Sequence, residues 1–213
     1  LLFPWMERKY FDYDPDSVEC TLQLRARFGA AGPEWLVERG DVLDAEYMSG
    51  LGSFDIVYSW GVLHHTGDMW SAIANTARLV EVGGLFFLAL YNDMGSESEK
   101  WLRIKKRYCA LPRALRPGYA VLAVAPYEVR EFGRELLRLR PKEYLRSWTR
   151  YRGRRGMSRW RDIVDWVGGL PYEYTGTAEV TEFLEPLGFE VAKLRPTNGL
   201  GCNEFVFVRR EAK

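Results

Sequence analysis

Apolar residues along the chain follow two spacings in turn, and these spacings predict strands and helices. The near-continuous apolar runs Phe54–Trp60 and Leu85–Leu90 are typical of strands buried on both faces of a parallel sheet. Between them, apolar residues recur every three or four positions from Met69 to Val80, which predicts a helix. The Gly83-Gly84 pair is expected to separate that helix from the second strand.

Shorter segments on either side continue this alternation. An Asp-Pro-Asp-Ser stretch from Asp14 opens a helix, because Asp is a good N-cap and Pro suits the first helical position. We expect Val18 and Leu22 on the buried side of that helix. The other predicted elements are strands at Lys9–Asp12, Trp35–Glu38, Phe189–Leu194 and Glu204–Arg209, and helices at 43–51, 158–166 and 178–187.

This order of elements predicts an α/β fold with a doubly wound, Rossmann-like and mostly parallel sheet. The last two strands are joined by a short loop, so we expect the final strand to be antiparallel. Ligands of such sheets bind beyond the carboxyl ends of the strands. The candidate site residues are therefore Asp12, Asp41, the segment Ser59–His65 and the segment Tyr91–Asp93.

Composition narrows the class of protein. With 47% hydrophobic and 28% charged residues, the 213-residue chain is neither disordered, nor collagen-like, nor a coiled-coil rod. Its apolar runs are too short for a transmembrane helix. Cys20, Cys109 and Cys202 lie far apart, which argues against a disulfide framework or a zinc site. A cytoplasmic location is therefore expected.

Charge is distributed unevenly, although the net charge is only +1. Residues 95–161 hold 19 Lys and Arg against 6 Asp and Glu, whereas the rest of the chain is acidic. We expect residues 1–94 and 175–213 to form the Rossmann-like core and residues 95–174 a helical basic lid or insertion. Four interpretations of the basic segment remain open: a solvated helical cap, a contact with an anionic membrane surface at the membrane periphery, a nucleic-acid groove, and a site for an anionic acceptor. The acidic remainder makes nucleic acid the less favoured partner.

The string FDIVYSWGVLHHTGDM, with GGLFFLALYND after it, resembles the class I S-adenosylmethionine-dependent methyltransferases. It is most similar to small-molecule enzymes such as the ubiquinone-biosynthesis O-methyltransferases, over Tyr10–Tyr91 and Glu179–Arg209. The resemblance implies S-adenosylmethionine as cofactor and a small-molecule acceptor. It also implies methylation at oxygen of a hydroxylated or quinone-like compound.

The resemblance assigns roles to the residues that follow the strands. A carboxylate at Asp12 would accept hydrogen bonds from the ribose hydroxyls of the cofactor, and Asp41 with Val42 would meet the adenine. The methionine end of the cofactor would contact Ser59, Trp60 and Gly61. Each of these positions also has a plain alternative as a loop, cap or turn residue.

Two further residues are candidates for the acceptor side of the reaction. His65 is a candidate base and Asn92 a candidate ligand of the acceptor oxygen. The alternatives are a packed loop histidine bonded to the backbone and an ordinary turn asparagine. No metal site is expected, because the adjacent histidines His64 and His65 cannot easily bind one ion.

The chain departs from the family in one respect. The family's glycine-rich turn should lie about 20 residues before Asp12, yet the 11 residues before Asp12 contain no glycine. Either residues 1–9 replace the first central strand, or the natural protein is longer, which we favour because the chain starts with Leu. The alternatives to a small-molecule methyltransferase are a catalytically inactive methyltransferase-like binding or scaffold domain, and an RNA methyltransferase.

Overall fold

A computed structural model describes residues 7–28 and 35–211. The strands are β1 (Arg8–Asp12), β2 (Trp35–Arg39), β3 (Phe54–Trp60), β4 (Val80–Tyr91), β5 (Phe189–Arg195) and β6 (Cys202–Arg209). The helices are α1 (Pro15–Phe28), α2 (Ala45–Gly50), α3 (Met69–Arg78), α4 (Ser96–Ala110), α5 (Arg116–Leu137), α6 (Pro141–Thr149), α7 (Tyr151–Arg155), α8 (Arg159–Gly168) and α9 (Thr177–Leu184). The chain divides into two compact units, which we name the sheet unit (Leu1–Asn92 with Thr175–Lys213) and the helical unit (Asp93–Tyr174).

The larger sheet of the sheet unit has the strand order β3-β4-β6-β5. β3 and β4 are parallel, while β6 runs antiparallel to both of its neighbours. β1 and β2 form a separate parallel pair. The prediction of an α/β fold with mostly parallel strands and an antiparallel last strand is confirmed.

The two sheets are not joined by a strand. In the part of the chain that the structure describes, β1 pairs only with β2, and β3 pairs only with β4. On β3, the side chains of Ile56 and Tyr58 are 49% and 66% exposed. Of residues 1–9, which were the less favoured alternative for the first central strand, 1–6 lie outside the described residues, while Arg8 and Lys9 belong to β1.

The core of the sheet unit lies on one face of the larger sheet. Phe86 of β4 and Phe205 of β6 are fully buried there. They belong to one apolar cluster with Ile73 of α3 and Leu184 of α9. The sheet and the helices therefore bury one common core between them. The residues that fill it are the apolar positions that recur with the period of each strand or helix.

Two boundary predictions are wrong around the Gly83-Gly84 pair. α3 ends at Arg78, and β4 already begins at Val80, so both glycines lie inside the strand. Gly83 has φ +85°, and a Cβ on Gly84 would lie 2.9 Å from the carbonyl oxygen of Asp55. The pairing of β3 with β4 shifts register at this point, so the pair marks a bulge rather than a turn.

The first helix is less buried than predicted. Asp14 does cap it, because its Oδ2 accepts a hydrogen bond from the Ser17 N–H at 3.1 Å. Val18 and Leu22 are only half-buried, and no residue of α1 is fully buried. Since α1 packs on the small β1–β2 pair, it has little apolar surface to cover.

The helical unit has an aromatic interior. The ring of Trp101, on α4, is 2% exposed and lies 5.4 Å from that of Trp166, on α8. Lys105 is also buried, donates a hydrogen bond to the Trp166 carbonyl oxygen, and lies over the Trp166 and Tyr172 rings. None of the described helices is long and apolar enough to cross a membrane.

Candidate active site

The carboxyl ends of parallel strands bring several predicted residues to the ends of the two sheets. Asp12 ends β1 and stands in register with Arg39, which ends β2. Trp60 ends β3 and stands in register with Ala89 of β4, two residues before that strand ends at Tyr91. Polar loops therefore follow strands at the positions where α/β proteins bind ligands.

Asp12 is held by local hydrogen bonds. Its Oδ2 accepts from the Tyr10 hydroxyl at 3.0 Å, and its Oδ1 accepts from the Asp14 N–H at 3.0 Å. Its carbonyl oxygen accepts from the Gly40 N–H at 3.0 Å, which ties the end of β1 to the end of β2. A carboxylate has about four lone-pair sites, so Asp12 keeps acceptor capacity for two hydroxyl groups.

The Asp41 loop is fixed from two sides. The Asp41 Oδ1 accepts from the Leu43 N–H at 2.9 Å, and the Val42 carbonyl oxygen accepts from the Asn75 side-chain amide at 2.9 Å. The Val42 side chain lies in the core cluster and is 9% exposed. The Asp41 side chain, unlike that of Val42, is half-buried and reaches the surface.

The turn after β3 leaves open space beside its backbone. Ser59 is buried, whereas Trp60 is 39% exposed and stacks on Tyr58 at a ring distance of 5.6 Å. Gly61 has φ +78°, a conformation that favours glycine, and its N–H donates to the Ala89 carbonyl oxygen at 3.1 Å. A Cβ at Gly61 would meet no atom within 4 Å, so another molecule could approach this backbone closely.

The structure distinguishes the two histidines. His64 is fully buried, and its Nδ1 accepts a hydrogen bond from the Tyr91 N–H at 3.3 Å, so this nitrogen carries no proton. His65 is only half-buried, with its ring edge-on to Tyr91 at 5.2 Å. His64 therefore has the structural role that was the alternative for these histidines, and His65 is the more accessible of the two.

Asn92 belongs to a network of amides at the end of β4. Its N–H donates to the Gly201 carbonyl oxygen at 3.0 Å, and its Oδ1 accepts from Asn203 Nδ2 at 3.0 Å. Asn203 also accepts from the Thr197 N–H at 2.9 Å. Because Asn92 Oδ1 is engaged with Asn203, an acceptor oxygen would have to be bound through Asn92 Nδ2.

Two residues of this region were missed from the sequence. Asn75 holds the Asp41 loop and is 8% exposed, and Asn203 holds Asn92 and is 1% exposed. Asn203 could have been found from the sequence, because it shares a face of β6 with Phe205 and Phe207. A polar residue at an apolar position of a strand indicates a buried hydrogen-bond partner. Within residues 7–28 and 35–211, no group of His, Cys, Asp and Glu could hold a metal ion.

Residues 8–88 match the family model described as a methyltransferase domain. The match covers 81 of the 213 residues. The matched residues contain both carboxylates, the turn after β3 and both histidines. The resemblance to class I methyltransferases is therefore confirmed.

Several solved structures share the fold of the chain. An O-methyltransferase family protein from Burkholderia thailandensis is 14% identical, with a TM-score of 0.51, over 98% of this chain and 45% of that one. PKMT2 from Rickettsia typhi in complex with AdoHcy is 9% identical, with a TM-score of 0.62, over 97% of this chain and 45% of that one. TehB from Haemophilus influenzae is 10% identical, with a TM-score of 0.50, over 96% of this chain and 50% of that one.

The chain is shorter than these proteins. The chain spans less than two thirds of the length of each structure named above. No curated protein sequence matches the chain. At identities this low, the structural likeness concerns the fold alone.

Proposed function

We propose that this protein is an S-adenosylmethionine-dependent methyltransferase that methylates a small molecule, at an oxygen of a hydroxylated or quinone-like compound. The observation that carries the proposal is the position of Asp12, Asp41 and Gly61. All three lie at or just beyond strand ends within residues 8–88. The structure of PKMT2 with AdoHcy, which has the same fold, supports this choice of cofactor.

The residues at the strand ends fit the nucleoside part of this cofactor. Asp12 keeps acceptor capacity for the two ribose hydroxyls, and the half-buried Asp41 carboxylate is available to the base. The open backbone at Gly61 would let the methionine part approach. When bound, S-adenosylmethionine supplies an electrophilic methyl group on a positively charged sulfur.

The protein's own contribution to the reaction is positioning. The acceptor oxygen must be held in line with the methyl group at about 3 Å, in a site that excludes water. In this proposal the imidazole of His65 accepts the proton of the acceptor hydroxyl, and Asn92 orients the acceptor oxygen through Nδ2. The buried His64 keeps the backbone of Tyr91 in place between them.

Calorimetric titration with S-adenosylhomocysteine tests the proposal. We expect micromolar binding by the wild-type chain. Asp12→Ala should weaken it at least about tenfold, because hydrogen bonds to a charged group are worth about 1.5–3 kcal/mol each. Asp16→Ala is the matched control, since Asp16 is an exposed aspartate in the first turn of α1 and should leave the affinity unchanged.

Two results would contradict the proposal. Equal affinity of Asp12→Ala and the wild type would mean that the ribose is not bound by Asp12. No heat from a folded wild-type chain would favour the second candidate, a methyltransferase-like domain that binds a partner without catalysis. That candidate is favoured by one observation: among the described residues, no strand joins β1 to β3.

A further inference from the structure

The long helix of the helical unit turns apolar side chains to solvent. Val121, Leu122, Val129, Phe132 and Leu136 of α5 are 51%, 72%, 70%, 41% and 51% exposed. Their spacing of three, four and seven residues places them on one side of the helix, which we name the α5 apolar face. Contiguous exposed apolar surface of this kind marks a contact site.

The flank of α5 that borders this face carries carboxylates that are turned inward. Glu128 forms an ion pair with Arg159 at 2.7 Å, with both side chains less than 20% exposed. Glu135 is 12% exposed at its side chain and pairs with Arg138 at 3.1 Å. The side of α5 that packs inward holds the fully buried Ala120 and the half-buried Val124. The α5 apolar face is therefore additional apolar surface, beyond the stripe that a surface helix normally packs on its core.

Cationic and aromatic residues lie near this face in the chain. Arg130 on α5, Lys142 on α6 and Arg150 just after α6 are exposed, and none has a carboxylate partner among the described residues. On α6, Leu145 and Trp148 add exposed apolar surface of 64% and 37%. Helices with Leu, Phe or Trp on one side and Lys or Arg beside them are typical of membrane-surface binding.

We propose that the α5 apolar face binds the surface of an anionic lipid bilayer, with the helix lying in the plane of the interface. Charge complementarity selects this occupant. Residues 95–161 carry 19 basic against 6 acidic residues, and anionic headgroups attract such a segment. A second copy of the chain would instead bring two positive surfaces together, which costs energy. The proposal does not depend on methyltransferase activity.

Vesicle co-sedimentation of the full chain tests this surface. Vesicles of phosphatidylcholine with about one-third phosphatidylserine should bind the protein, and vesicles of phosphatidylcholine alone should bind it much less. The double variant Leu122→Glu/Val129→Glu should lose at least about tenfold in binding, because two apolar side chains no longer enter the interface. Both positions are exposed, so the variant should fold, which circular dichroism checks. Leu187→Glu, a 44% exposed leucine of the sheet unit, is the matched control and should bind like the wild type.

Three outcomes would overturn the proposal. The folded wild-type protein could fail to bind phosphatidylserine vesicles at low salt, or it could bind both kinds of vesicle equally. A concentration-dependent dimer that Leu122→Glu/Val129→Glu abolishes, without vesicle binding, would show that a second copy covers the face. A variant that fails to fold is replaced by the wild type at rising salt, where binding must fall as charges are screened and where unchanged binding contradicts the proposal.

Discussion

The strand β6 and the helix α5 are both rich in apolar residues, yet they place them in opposite ways. In β6, Phe205 and Phe207 point into the core of the sheet unit and are fully buried. In α5, Leu122 and Val129 point to solvent, while Glu128 and Glu135 are turned inward. The comparison shows that apolar content alone does not tell whether a segment stabilises the fold or serves binding.

The largest expected effect separates these two uses of apolar residues. Phe205→Ala should lower the free energy of unfolding by about 3–5 kcal/mol, because it leaves a cavity in a closed core. Val129→Ala should change it by less than about 0.5 kcal/mol, because Val129 is already exposed. Urea denaturation of both variants measures the difference. Similar losses for the two would mean that α5 is packed against the rest of the chain in solution.

A second prediction concerns a polar residue on the buried side of β6. Asn203→Leu should cost about 1–3 kcal/mol, because Asn92 Oδ1 and the Thr197 N–H lose their partner in a buried place. Asn198→Leu is the control, since Asn198 is exposed in the preceding loop and should be nearly neutral. Chemical denaturation compares the two, and equal stabilities would remove the structural role assigned to Asn203.

A smaller, pH-dependent effect is expected inside the helical unit. Burial lowers the pKa of Lys105 to about 8, although Asp165 opposes this shift. Between this value and the usual pKa of Lys the unfolded chain binds more protons, so the free energy of unfolding should rise with pH from about 8 upward. The slope from this group is at most about 1.4 kcal/mol per pH unit.

Lys105→Met should remove that slope, whereas Lys106→Met, at the exposed neighbouring position, should keep it. Thermal or urea unfolding between pH 7 and 10.5 measures it, within the interval set by the pKa of this lysine. Equal slopes in the wild type and Lys105→Met would show that Lys105 titrates as an exposed lysine does.

Much of the fold could be predicted from the sequence because buried strands and amphipathic helices have distinct periods. The runs at Phe54–Trp60 and Leu85–Leu90 correspond to β3 and to half of β4. The start of β4 was missed because Gly83-Gly84 is compatible with both a turn and a bulge, and only the neighbouring strand decides between them. The orientation of α5 was also unpredictable, since a period shows that a helix has an apolar side but not what covers it.

The candidate site could likewise be predicted only in part. Residues just after strands, such as Asp12 and Asp41, could be predicted because strand ends follow from the pattern of elements. The different environments of His64 and His65 could not be predicted, because the two residues are adjacent in the sequence. Only the structure shows that His64 accepts the hydrogen bond from the Tyr91 N–H and packs on its ring. The roles of Asp12, Asp41, Val42, Ser59, Trp60, Gly61, His65 and Asn92 in binding and catalysis stay predictions.

An NMR titration of backbone amides with S-adenosylhomocysteine tests most directly where the cofactor binds. The largest shifts are expected at residues 12–14, 41–43 and 59–61, which lie at the carboxyl ends of β1, β2 and β3 and in the loops that follow them. Amides of the α5 apolar face should stay unchanged and serve as the internal control. Saturable binding with shifts confined to residues outside these three loops, or a folded protein with no shifts at all, would contradict the proposed site.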